Sequence, residues 1–368
     1  NIPPYIRGSK VAIAINDKTR PVPHQHLIPP LLAKLYESGY PKSSIIFIIA
    51  SGTHIPMPEN EFSKILPQDI ISNFTIISHN CDDEHNLLSL GVTSRGTSVK
   101  INRTFIEANL KIVVGDIEPH HFMGFSGGIK SAAIGLAGRE TINQNHSLIS
   151  QAGSSSGHYE DNQMRQDIEE IGDLIGVQIA LNAILNPDKE IVQALAGSPR
   201  GVMQLGIPLV RANYMVEIPH LYDLVIASSG GYPKDINLYQ AQKGMTHAAM
   251  MIPDGGTVIL AAKCIEGIGN EKYELWMKNV HSHAEVFRKT QTTEFEVGPH
   301  KAYLISRDAS RKNIILYSTI SSTVVTKLLI KPAGDFQNSV TNALKAIPPG
   351  HQIAVLPQAT LTIPFRKA

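Results

Sequence analysis

The sequence predicts an α/β protein of two α/β domains with mostly parallel sheets, its active site expected in the cleft between the domains. Three observations predict it. Short β-branched apolar runs recur along the chain, each too short for a helix and the right length for a buried strand. Between them lie stretches with apolar residues at helical spacing, so strand, loop, helix, strand is the repeating order. The chain is also 368 residues long, more than one hydrophobic core usually serves.

The elements follow in order. Val11–Asn16 is a buried strand that runs out at Asp17-Lys18-Thr19-Arg20-Pro21. A helix is predicted from His24 to about Ser38, with Gly39 as its C-cap. Ser44–Ala50 is the second strand, ending in Ser51-Gly52-Thr53-His54, and Thr75–Ser78 is the third. A short helix over Arg103–Ala108 precedes the strand Ile112–Val114. That strand leaves through Gly115-Asp116 into a loop with His120 and His121, then a glycine-rich turn, Gly124-Phe125-Ser126-Gly127-Gly128. Lys130 stands at the next helix start, and His146 sits in the helical stretch beyond. Asn162–Gly176 is amphipathic, with Met164, Ile168, Ile171, Leu174 and Ile175 on one face. Leu181–Leu185 and Glu190–Ala196 flank the turn signal Asn186-Pro187-Asp188 and read as a hairpin.

A helix around Arg200–Arg211 leads to a hinge expected between Ala212 and Pro219. The second domain then opens with the strand Leu224–Ala227, which ends in Ser228-Ser229-Gly230-Gly231-Tyr232-Pro233. Helix Asn237–Met251, strand Thr257–Ala262, helices over Glu271–Asn279 and near His300–Arg307, strand Asn313–Tyr317 and helix Phe336–Ile347 complete it. The predicted domains are therefore 1–215 and 216–349. The last strand, Gln352–Leu356 within 350–368, is free to complete either one.

Composition narrows the class. The formal net charge is +1 with both signs interspersed, so no basic tract argues for nucleic acid. Two distant cysteines, Cys81 and Cys264, exclude a disulfide framework and fit a reducing compartment. The apolar runs Ile45–Ala50 and Val258–Ala262 are too short to span a bilayer. No signal-peptide pattern follows Asn1, so a soluble cytoplasmic protein is expected, with a further native piece ahead of Asn1.

The chemistry-bearing residues gather at strand ends. In a parallel sheet the loops after Val11–Asn16, Ser44–Ala50 and Ile112–Val114 share one edge, which lets Asp17, Arg20, His54 and His120 converge. Arginine there suits bidentate grip of a carboxylate. Gly124 to Ser131 nearly spells a P-loop, but Ile129 replaces the glycine before the lysine, which disfavours an ATP-hydrolysing loop. A glycine turn before a helix can still offer N–H groups to a phosphate. Plainer readings stand beside these. His146, with Ile142 and Ile149 at helical spacing, also reads as a core imidazole, and His54 as a helix cap. Gln240 and Lys243, one turn apart, also read as a solvated helix face.

Five segments together resemble the lactate racemase family: Asp17–Pro21, Ser51–Phe62, Asp116–Lys130, Arg139–Ile149 and Ser228–Met245. The resemblance covers nearly the whole chain and implies a two-domain isomerase, a racemase or epimerase of 2-hydroxy acids. It also implies a nickel-pincer nucleotide, a pyridinium-derived mononucleotide carrying nickel through one carbon and two sulfurs. By the same resemblance Lys130 tethers the cofactor, His146 supplies the nickel ligand, and His54 and His120 are the acid/base pair. Asp17, Arg20, Gln240 and Lys243 hold the substrate, and Gly127 and Gly128 carry the nucleotide phosphate. Implied partners are the small-molecule substrate and the cofactor-synthesis enzymes, with no nucleic acid or membrane, and self-association into a homo-oligomer left open. The family commonly has arginine where Ile55 and Ile129 stand here, which leaves lactate, a dicarboxylate and a sugar acid equally open as substrates. Two rivals remain: a zinc hydrolase on His54, His120 and His146, and a non-catalytic nucleotide-binding protein of the same fold.

Overall fold

The structure is a computed structural model that describes residues 2–366 except 21, 187, 294, 297, 348 and 349. Pro21 of the first strand-end motif and Pro187 of the expected turn lie outside the described residues. The chain forms two compact units, Asn1–Asn213 and Tyr214–Ala368.

The first unit is built on six strands: β1 (Val11–Asn16), β2 (Ile45–Ala50), β3 (Thr75–Ser78), β4 (Leu110–Asp116), β5 (Ile179–Leu185) and β6 (Ile191–Gly197). Their order is β6-β5-β4-β1-β2-β3, parallel throughout except for the β5–β6 hairpin. β1 reads as an unbroken apolar run because both its faces are covered, and Val11 through Ile15 are fully buried. Helix α1 (His24–Glu37) closes one face, with Leu27, Ile28, Leu31 and Leu35 in the same core as Ile13, Ile15, Phe47 and Ile49. β1 is the point where the chain turns from building one side of the sheet to the other. The loops after β1, β2 and β4 therefore leave side by side, where such sheets hold their ligands.

β4 outlasts its apolar run. Gly115 and Asp116 stay in the ladder opposite Asn182 and Ala183 of β5, because backbone pairing does not require an apolar side chain. The sequence reading missed an antiparallel hairpin, Leu87–Val92 with Ser98–Asn102. A register shift between Ser89 and Gly91 breaks its alternation, which is the signal a half-exposed strand leaves in sequence.

The second unit holds five parallel strands: β7 (Leu224–Ser228), β8 (Thr257–Ala261), β9 (Asn313–Tyr317), β10 (Lys331–Pro332) and β11 (Ile353–Leu356). The order is β10-β9-β8-β7-β11. β11 pairs with β7, and Ile363–Phe365 pairs with Met215–Glu217, so completion of the first domain by 350–368 is corrected: the segment belongs to the second. Two helices went unforeseen, His283–Thr292 and Ser322–Lys327. Each buries a single residue, Val286 or Val325, and starts from a serine cap, Ser282 or Ser321, so neither shows an apolar stripe. Among the described residues no helix is long and apolar enough to cross a membrane.

Candidate active site

Asp17, the first residue past β1, is buried at 4% exposure and folded back on its own loop. Its Oδ1 accepts from the Thr19 backbone N–H at 3.1 Å and from the Thr19 hydroxyl at 2.6 Å, an Asx turn. Its Oδ2 lies 2.7 Å from Nδ1 of His54, which reaches it from the loop after β2. Burial pushes the Asp17 carboxyl up, but the His54 and Thr19 hydrogen bonds and the His54 charge outweigh it and hold the group below its ordinary value. A carboxylate at Nδ1 keeps that nitrogen protonated and leaves Nε2 as the basic nitrogen of a half-exposed ring. Ile55, next to it, is 90% exposed. Arg20 stands 3.8 Å from Glu118, a loose pair with both side chains partly exposed.

Beyond β4 the chain makes a short ladder, Pro119–His120 with Gly124–Phe125. His120 is buried, and the Met123 N–H points at its Nδ1 at 3.3 Å, which favours the tautomer with the proton on Nε2. His121 stacks on it, centroids 4.7 Å apart and planes within 18°. Phe122 stands edge-on to both imidazoles and also meets His146 at 5.7 Å.

Lys130 opens the one-turn helix α2 (Lys130–Ala133), and Ser131 ties that turn to β1 by donating to Asn16 at 3.4 Å. Protein packs around the Lys130 amine closely enough that loss of water lowers its pKa to about 7. The charges of Arg20 and Arg165 push the same way, against Asp116 and Glu118. Asp116, the last residue of β4, is pushed up to about 7, first by burial and then by Glu118. His146 lies in helix α3 (Arg139–Ser147), buried, with Nδ1 donating to the Ile142 carbonyl at 2.8 Å. Burial first, then the neighbouring Lys130 charge, bring it down to about 4, so it is a neutral imidazole whose lone pair is on Nε2. That is the form in which histidine binds a metal, its other nitrogen fixed by a carbonyl.

The glycine turn corrects one expectation. Gly127 and Gly128 adopt φ of +81° and +59°. A Cβ on Gly127 would meet Ile117 at 2.7 Å, and one on Gly128 would meet Met203 at 2.7 Å. The Gly128 N–H is spent on Asn182 Oδ1 at 2.8 Å. These glycines are small so that the turn can pack into protein, and Gly128 offers no N–H to a phosphate. Ile129 also faces inward, 2% exposed and against Gly172, so the arginine position of the family is here a core position.

What holds the turn went unread in the sequence. Arg165, fully buried in helix α4 (Gln163–Ile175), donates to the carbonyls of Phe125 at 3.1 Å and Gly127 at 3.2 Å and pairs with Glu169. Its signal was an Arg and a Glu four residues apart on the apolar face of an amphipathic helix. In the second unit, Gln240 and Lys243 lie on helix α5 (Leu238–Ala249), with Lys243 Nζ 3.2 Å from Gln240 Oε1.

Local geometry thus joins Asp17 with His54, places Lys130 within electrostatic reach of Arg20 and His146, and links His120 to His146 through Phe122. Among the described residues no three His, Cys, Asp or Glu side chains are placed to hold a metal, so His54, His120 and His146 form no zinc site.

Comparison with known proteins follows the two units. The lactate racemase N-terminal domain model matches residues 5–157, and the lactate racemase C-terminal domain model matches 219–363. The chain is 34% identical over 266 residues to a lactate racemase of Lactiplantibacillus plantarum, 72% of this chain and 62% of that one. It therefore spans less than two thirds of that relative's length. It is 28% identical over 359 residues to a lactate racemase of Thermoanaerobacterium thermosaccharolyticum, 96% of this chain and 84% of that one. The lactate racemase apoprotein structure from that organism superposes with a TM-score of 0.87 at 29% identity, covering 97% of this chain and 87% of that one. A Thermotoga maritima structure at 17% identity and TM-score 0.65, covering 98% of this chain and 94% of that one, shares the fold.

Proposed function

We propose, from the premise that the chain belongs to the lactate racemase family, that it is an isomerase inverting C2 of a 2-hydroxy acid by hydride removal and return. The C–H bond at such a carbon is very weakly acidic unless an electrophile stabilises the enediolate, and removing its hydrogen with both electrons avoids that carbanion altogether. Held by Lys130 and His146, a nickel-pincer nucleotide supplies the reversible hydride acceptor that side chains lack. The residues fit that group: an amine lowered to about 7 can be a free nucleophile at neutral pH, and His146 is a neutral imidazole with Nδ1 fixed.

The chain's own groups manage the proton. His54 takes the hydroxyl proton at Nε2 as hydride leaves C2, and Asp17 stabilises the imidazolium that forms. The planar 2-oxo acid can then accept hydride on either face. His120, carrying a proton on both nitrogens when His54 is neutral, returns one to the oxygen as hydride comes back and removes it in the reverse direction, which requires its Nδ1 to give up the Met123 N–H. Arg20 is the first unit's group for the substrate carboxylate, and Gln240 and Lys243 are the polar pair that the family resemblance assigns to substrate in the second.

The observation that supports this reading most is the pairing of Lys130 with a carbonyl-fixed, neutral His146 at one sheet edge. The deciding experiment incubates cofactor-loaded protein with a panel of 2-deuterated 2-hydroxy acids. Inversion with deuterium retained at C2 is expected, and inversion with washout to solvent would rule out hydride return.

A further inference from the structure

Helix α6 (Glu271–Met277) of the second unit turns Tyr273 and Met277 into the core and leaves its other face in solvent. Both its ends are held. Asn270 caps the start by accepting from the Tyr273 N–H at 2.8 Å. Near the end, Lys289 donates to the Trp276 carbonyl at 2.7 Å, with its ammonium 4.2 Å from the centre of the indole. Between α6 and α7 (Ser322–Lys327) opens a cavity of about 900 Å³ lined by Ile268, Met277, Val280, Val324 and Leu328. Leu275 stands on its wall and is 71% exposed. A lone exposed leucine is ordinary, but one at the mouth of an apolar cavity is half of a contact.

The charges around it are ordered. Glu271, Glu274, Leu275 and Lys278 recur at helical spacing and form one stripe, acidic at its start and basic about 10 Å further on. Lys327 lines the same cavity from α7. Among the described residues none of Glu271, Glu274, Lys278 and Lys327 is ion-paired, whereas Lys272, which does not line the cavity, pairs with Glu296. An apolar stripe whose charge reverses along its length is the complement of itself turned end for end.

We propose that this groove is where a second copy of the chain docks, the two α6 helices lying antiparallel about a two-fold axis beside Leu275. Counted along the stripe, that sets Glu271 opposite the partner's Lys278 and Lys278 opposite the partner's Glu271, and each Leu275 enters the other copy's cavity. A parallel arrangement would set acid against acid and base against base. Every residue involved belongs to the second unit, and the contact stands apart from the racemase reading.

Sedimentation equilibrium of the full chain from about 1 to 100 µM tests the contact, with a dimer of micromolar Kd expected. Leu275→Asp should raise Kd at least about tenfold and leave the unfolding midpoint unmoved, because the side chain is exposed in the single chain. Lys278→Glu should raise Kd about tenfold, since the two-fold axis reverses two pairs at once. Adding Glu271→Lys to that variant should bring Kd back to within about threefold of the wild type. A chain that stays monomeric throughout overturns the proposal, as does a dimer indifferent to Leu275→Asp. A double variant no tighter than Lys278→Glu alone refutes the antiparallel pairing and the proposal with it.

Discussion

Three imidazoles in the first unit differ because their neighbours differ. His54 has a buried carboxylate on Nδ1, His120 a backbone N–H facing Nδ1, and His146 a carbonyl accepting from Nδ1. The first arrangement leaves the Nε2 lone pair free with a carboxylate on the far nitrogen, and the last makes a neutral donor for a metal. His54→Ala should therefore lower kcat by about 10² to 10⁴ while nickel content stays at the wild-type level. His146→Ala should lower nickel content itself, measured by elemental analysis of the loaded protein. Loss of metal from the His54 variant would mean that the two roles are exchanged. Lys130→Ala should abolish the covalent adduct in intact-protein mass spectra, since the tether is formed by that amine; an undiminished adduct would refute the tether. Asp17 and His54 were singled out in the sequence because Asp17 directly follows one apolar run and His54 stands four residues past the end of another. Asp116 and Glu118 were not, since their effect on Lys130 comes only from burial beside it.

At the scale of elements, the site depends on a turn that cannot hold its own shape. The turn from Gly124 to Gly128 leaves carbonyls at Phe125 and Gly127 that Arg165 reaches from α4, the Gly127 carbonyl also accepting from the Lys130 N–H at 3.3 Å. Removing a buried hydrogen-bonded charge leaves Glu169 and both carbonyls without that partner, a loss of about 3 to 5 kcal/mol. Arg165→Met is thus expected to lower the midpoint of denaturant unfolding of the first unit and to slow labelling or tethering at Lys130. Asn162 caps α4 by accepting from the Arg165 N–H at 3.1 Å and also donates to the Phe122 carbonyl at 2.9 Å. Asn162→Ala should cost about 1 kcal/mol as a lost cap, and more through the Phe122 bond, read from the same unfolding curves. The glycines of the turn stand where a Cβ would strike Ile117 and Met203, and the Gly128 N–H is bonded to Asn182. Sequence shows that a Cβ is absent, and only packing shows whether a ligand or Met203 occupies the space.

For the molecule as a whole, each unit carries buried imidazoles that weaken it in acid, and in the first unit His24 shares that part with His146. In the first unit His24, fully buried, bonds the Ile65 carbonyl through Nδ1 at 3.1 Å and has no partner for Nε2; burial brings it down to about 4. In the second, His247 bonds the Ala359 carbonyl and is likewise brought down to about 4 by burial. A folded pKa below the unfolded value near 6.5 means the unfolded chain binds the proton first. Stability is therefore full above about pH 6.5, falls as pH drops toward 4, and levels off below, at about 3 kcal/mol for each imidazole. His24→Leu should flatten that slope in the first unit, and unfolding midpoints across pH 4 to 7 check it; an unchanged slope would show that His24 does not set it. The sequence by itself determined the α/β class, the main apolar strands along the chain and the strand ends at which polar residues collect, because apolar periodicity and turn chemistry are local properties. Only the tertiary structure decided that Ile353–Leu356 joins the second unit's sheet beside β7 and that Arg165 holds the carbonyls of the glycine turn. Each of those is a matter of which distant surfaces meet, and pairing across tens or hundreds of residues leaves no periodic trace in the chain.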